Sequence, residues 1–176
     1  MKTTLVFFLL CYHFFLDNPV LSQKNNYVLK SQRPTFTVIV DGAKTLEEMI
    51  REGGYSQLNK AITEKNFPIR EKTKRTVVIE LFFFNRKISS NEAISEMNKE
   101  GYRPATHDEL IALGAKRYGL KEKFPIVALG SVWANYPGPR KVCLLYWNSY
   151  SLESGLDLDW IDSDLHDDFR VAAVHK

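Results

Sequence analysis

The twenty-one residues from Leu156 to Lys176 constrain the fold more than any other stretch of this chain. Leu156, Leu158 and Trp160 alternate with Asp157 and Asp159. A period of two puts apolar side chains on one face of a strand and carboxylates on the other. Phe169 to Val174 is apolar enough to be a buried strand, and between the two stand Asp162, Asp164, His166, Asp167 and Asp168. Taking an ion out of water is costly even after relaxation, so carboxylates without matching bases must stay wet. A rigid frame is therefore expected to hold out an acidic, irregular surface, which suits display and binding better than bond-breaking.

A chain of 176 residues with 44% apolar content suits one domain with a small appendage. A net charge of +3 is too small to argue for nucleic acid. From Ser151 onward, seven acids stand against Arg170 and Lys176, a net of −5, so the total of +3 leaves +8 on the rest. That asymmetry points to a charged partner or to a second copy of the chain.

Residues 1–22 resemble a secretory signal: Lys2 is the positive start, Leu5 to Leu16 is too short to span a membrane, and Val20 and Ser22 fit a cleavage site. A secreted chain starting at Gln23 is expected, with a cytoplasmic protein as the alternative. Cys143 is then the one cysteine left, which excludes an intrachain disulfide and a cysteine metal site; its apolar neighbours mark it as buried.

Residues 23–75 read as a small N-terminal α/β segment and linker. Thr35 to Val40 alternates like a strand, Thr45 to Arg51 and Ser56 to Ile62 look helical, and Arg70 to Arg75 is a charged connector. Residues 76–176 read as the main domain. Thr76 to Phe84 is a strong strand. Ser89 with Glu92, and Thr106 with Glu109, are capping boxes that open two helices, the first closing at Gly101 and the second running to about Tyr118. Phe124 to Leu129 and Lys141 to Trp147 form strands around a turn at Asn135 to Pro139. The predicted class is α+β, with two helices and a small antiparallel sheet.

The chemistry is sparse. Asp157, Asp159, Asp162, Asp164 and Asp168 offer oxygens to calcium, but Asp162 stands where an EF-hand needs its turn glycine and Ile161 takes a ligand position. No metal or cofactor is expected. Two of these carboxylates are also candidates for a glycosidase acid and base, with no flanking signature to choose them. No phosphate loop, serine nucleophile elbow or paired-histidine motif is present. His107 and His175 are expected at the surface, and His166 among aspartates on the display segment. Trp133, Trp147 and Trp160 read as packing or rim residues, with Trp147 and Tyr150 as a possible aromatic anchor for a ligand.

Gly101-Tyr102-Arg103-Pro104-Ala105-Thr106-His107-Asp108-Glu109-Leu110 resembles the helix start of bacterial C-type lectin-like and formylglycine-generating-enzyme-like domains. The frame Leu156, Leu158, Trp160, Phe169, Arg170, Val171, Ala173, Val174, His175 and Lys176 is similar to the ending of the variable proteins of bacterial diversity-generating retroelements. The resemblance covers roughly the last hundred residues. It implies a C-type lectin-like domain whose solvent-facing C-terminal positions are diversified by error-prone reverse transcription to bind a protein or surface ligand. The positions implied are Tyr150, Asp157, Asp159, Ile161, Asp162, Asp164, Leu165, His166, Asp167 and Asp168. The copper-dependent enzyme branch of the fold needs paired cysteines, and only Cys143 stands in that region. The expected protein is thus a non-enzymatic binder of a basic ligand, without a membrane span or nucleic-acid partner. An acid–base hydrolase and a self-associating structural protein are the alternatives.

Overall fold

A computed structural model describes residues 33–176, apart from 117, 135 and 136 and the side chain of 118. The signal-like segment and the start of the N-terminal segment lie outside the described residues.

Val38, Val40, Val77 and Ile79 are buried while their sequence neighbours are not, which is the signature of a strand pair covered on one face. These residues belong to β1 (Thr35–Asp41) and β3 (Lys74–Phe82), paired antiparallel along the full length of β1. Between them the chain forms α1 (Leu46–Gly53) and the short β2 (Gln57–Leu58). After β3 come β4 (Ile88–Ser89), α2 (Ser90–Lys99), β5 (Tyr102–Pro104), α3 (His107–Lys116), a 3-10 turn at Tyr118–Leu120, β6 (Ile126–Ala134), β7 (Arg140–Asn148), β8 (Glu153–Trp160), β9 (Asp164–Leu165) and β10 (Arg170–His175).

The strands build one mixed eight-stranded sheet in the order β1-β3-β10-β6-β7-β8-β2, with β5 also on β10, and a two-stranded β4-β9 pair beside it. The last strand is central. β10 runs antiparallel to β3 and β5 and parallel to β6. Its run Val171-Ala172-Ala173-Val174 is buried on both sides, as a strand covered on both faces requires. Ala172 and Val174 face a core shared with α1 and α3, through Leu46, Met49, Leu110 and Leu113. Val171 and Ala173 face a second core with Ala93 and Met97 of α2 and with Ile88, Ile161 and Leu165. Three layers result: helices α1 and α3, the sheet, then α2 with the β4-β9 pair.

This architecture corrects the predicted class. The expectation of a C-type lectin-like domain with two helices and a small antiparallel sheet fails, because the described residues form three helices and ten strands, eight of them in one large mixed sheet. The expected boundary between residues 75 and 76 falls inside β3, whose partner β1 lies on the far side of it. Arg33 to Lys176 forms one compact unit. Ser56 to Ile62 is not helical: the Ser56 N–H donates to the Ser154 carbonyl at 3.1 Å and the Asn59 N–H to the Leu156 carbonyl at 3.0 Å, so long-range pairing overrides local propensity there. Both predicted helices start where the sequence puts them, each with half of its capping box: Ser89 Oγ accepts the Glu92 N–H, and the Glu109 carboxylate accepts the Thr106 N–H; α3 ends at Lys116, and the β6–β7 hairpin and buried Cys143 stand where expected.

Candidate functional site

β6, β8 and β10 are mutually parallel, so the chain leaving β8 must cross β7 and β6 to reach its slot. It does so as a strap, residues 161–169, on the α2 face. The Ile161 N–H donates to the Arg140 carbonyl at 3.1 Å, Ser163 N–H to the Trp160 carbonyl at 3.2 Å, and Arg170 N–H to the Pro125 carbonyl at 2.9 Å. In the middle, β9 pairs Asp164 with Ser89 and Leu165 with Ile88. Ile161 and Leu165 point inward, 9% and 3% exposed. Asp162, Asp164, His166, Asp167 and Asp168 are exposed. The strap is thus clipped by two apolar residues and carries its acids outside.

This placement sorts the predicted display residues. Ile161 and Leu165 are core residues rather than display positions, because they plug the second core. Asp157 and Asp159 act on their own strand: their Oδ1 atoms accept the N–H groups of Leu158 at 2.7 Å and Trp160 at 2.8 Å. Asp157 also accepts from the Asn59 amide at 2.6 Å. Asp162 is paired with Arg140, whose hydrogen bond holds its carboxyl below the ordinary value. Asp164 faces Lys87 Nζ at 3.9 Å, and the His166 ring stacks on Phe169 with centroids 6.0 Å apart.

Tyr150 is 97% exposed and Trp147 is half-buried, but both lie at the opposite end of β7 from Arg140 and Asp162. The nine residues of β7 separate those ends by roughly 26 Å. A ligand that touched Trp147, Tyr150 and Asp162 together would have to span that distance. Trp160 is 55% exposed. Along its face Leu156 is buried, Leu158 half-buried and Trp160 out in solvent, as β8 runs past the edge of the helical layer.

A second polar constellation was missed at sequence level. A cleft of about 440 Å³ opens at the N-terminus of α3, between the 68–75 segment and Gly130-Ser131. Arg103 grips Glu109 with two hydrogen bonds, 2.7 and 2.9 Å. Arg75 reaches Asp108 at 2.7 Å and Glu71 at 3.2 Å. Burial alone would raise both carboxyls of α3. Hydrogen bonds from Thr106 and Arg75 to Asp108, and from Arg103 and the Thr106 N–H to Glu109, overcome it and hold both below the ordinary range. His107, expected at the surface, is 3% exposed against Phe67, and burial lowers its pKa. Its Nδ1 lies 2.9 Å from Ser131 Oγ, which also accepts the His107 backbone N–H at 3.2 Å. A serine beside a histidine suggests a nucleophile and base, yet Asp108 turns to Arg75 and Thr106 and not to the imidazole. The serine caps α3 instead. The pattern Thr106–Glu109 announced the cap; nothing local announced that Arg75, 33 residues before Asp108, would join it.

Among the described residues no three His, Cys, Asp or Glu side chains converge to hold a metal. No helix among them is long and apolar enough to cross a membrane. No protein-family model, curated protein or solved structure matches the chain.

Proposed function

We propose that this protein is a binding module that presents the outer side of its C-terminal strap to a basic protein or surface ligand. The observation that carries this reading is the division of labour within residues 161–168: Ile161 and Leu165 fix the segment while Asp162, Asp164, His166, Asp167 and Asp168 face solvent. A segment anchored this way pays little ordering entropy on binding. Against the hydrolase alternative, Arg140 holds the Asp162 carboxyl below its ordinary value, and Asp157 and Asp159 accept backbone N–H groups of their own strand.

The test is a titration of the full chain with short basic peptides at about 0.1 M and about 1 M salt, over which the Debye length falls from about 10 Å to about 3 Å. Binding should weaken with salt and weaken again when Asp162, Asp164, Asp167 and Asp168 are changed to Asn. Binding indifferent to both would refute the proposal. A reverse transcriptase gene beside a near-copy of the 3′ end of this gene would extend the reading to a diversified ligand surface.

A further inference from the structure

The outer edge of β8 is only partly covered. β2 occupies it at Gly155 and Leu156, with the Ser154 and Leu156 carbonyls accepting from Ser56 and Asn59. Among the described residues no strand continues along Leu158 to Trp160. Backbone groups alternate sides along a strand, so Leu158 and Trp160 direct theirs to the same edge as Ser154 and Leu156. Among the described residues their two N–H groups are satisfied locally, by the carboxylates of the residues just before them, Asp157 and Asp159. Exposed edges are commonly blunted by charge, and here the charge sits on the pairing groups themselves.

We infer that this edge takes an extended peptide from a basic partner by strand addition, in line with β2. The inference rests on the proposed binding role and names how the partner docks. The two faces of the edge set the chemistry of the occupant. On one face stand Asp157, Asp159 and, just beyond, Asp162; on the other stand Leu158 and the exposed indole of Trp160. A strand with lysine or arginine alternating with apolar residues fits both. A carbonyl of the incoming strand replaces a carboxylate on the Trp160 N–H, and the freed carboxylate takes the cation beside it. The chain already shows this mode once: in the β2 segment Asn59 donates its side-chain amide to Asp157 while its backbone pairs with Leu156, and Gln57 donates to Glu153 at 2.6 Å.

The experiment titrates the full chain with a short peptide of alternating lysine and valine, and with the same peptide N-methylated on alternate backbone amides so that the charges are unchanged and the pairing donors are gone. Methylation should weaken binding about tenfold, the expected loss of the backbone hydrogen bond to the Leu158 carbonyl, which neither Asn59 nor Ser163 occupies. The parent peptide should slow amide exchange at Leu158 and Trp160 and shift the tryptophan emission, and Trp160→Ala should abolish that shift. Equal binding of both peptides, protection elsewhere, or no binding of either overturns strand addition. If both peptides bind equally yet still respond to salt and to the Asp→Asn changes in the strap, strand addition fails while the binding role stands. If neither salt nor those changes matter, the binding role itself fails.

Discussion

Leu165→Ala and Asp164→Asn change adjacent residues of one two-residue strand, and the structure assigns them opposite consequences. Leu165 is 3% exposed and packs in the core with Ile88, Val171 and the α2 residues Ala93 and Met97. Truncation removes three carbons, about 2.4 kcal/mol at ~0.8 kcal/mol per buried methylene. A residual cavity adds to this, within the ~2–5 kcal/mol span of such changes. The middle of the strap is held by one short pairing and can settle partly into the space, so the expected cost is about 2.5–3 kcal/mol. Asp164 offers only an exposed carboxylate 3.9 Å from the exposed Lys87, and such pairs contribute about 0–1 kcal/mol; its change should stay within about 0.5 kcal/mol. Urea unfolding followed by circular dichroism reads both. With a slope of about 2 kcal/mol per molar, Leu165→Ala should lower the midpoint by roughly 1.2–1.5 M and Asp164→Asn by less than about 0.3 M. Equal shifts would show that the strap is not clipped through Leu165, and the division between anchor and display would fall with it.

Trp160→Ala should cost about 1 kcal/mol or less, far below the ~3–5 kcal/mol of a core tryptophan, because Trp160 is more than half exposed; a thermal melt checks this. Arg103→Met should cost about 3 kcal/mol in the same urea assay, since it leaves the Glu109 carboxylate buried without its bidentate partner. Acid should act in two stages. His107 has a lowered folded pKa, so stability is full above its unfolded value of about 6.5 and declines as pH falls through it; Asp108 and Glu109, also lowered, lose their contribution as pH falls through the carboxylate range near 4 and below. A His107→Asn variant that melted with an unchanged profile between about pH 6.5 and 5 would disprove the first stage. Chelator and added calcium should leave the melting temperature where it was, because Asp162 is paired with Arg140 and the carboxylates of Asp157 and Asp159 accept N–H groups of their own strand.

Local patterns were legible in the sequence. Thr106–Glu109 and Ser89–Glu92 marked both helix starts because capping is short-range chemistry, and the alternation of Leu156 to Trp160 located β8. What periodicity could not supply was depth. Asp157 and Asp159 look like a solvated face, but their partners are the N–H groups of the next residue. Ile161 and Leu165 sit within an acidic run and read as display, yet the crossover turns them into the core. The size of the sheet was hidden too, since β1 meets β3 across more than thirty residues and β2 meets β8 across about a hundred. The resemblance drew on the helix start at Gly101 to Leu110 and on the frame from Leu156 to Lys176, local patterns that do not report the size of the sheet around them.

The position of β10 has a consequence for synthesis. Among the described residues it is the strand of the large sheet bonded both to the β1-β3 pair and to the β6-β7-β8 set. A ribosome delivers it after every strand it joins. Until Arg170 to His175 emerges, the nascent chain holds two partial sheets with open edges at β3 and β6, each rich in valine, isoleucine and leucine. Such edges pair readily with other chains. The chain therefore has a long window of vulnerability during translation, closed in a single late step, and a stalled or clipped product ending before Arg170 should aggregate rather than fold around a smaller core.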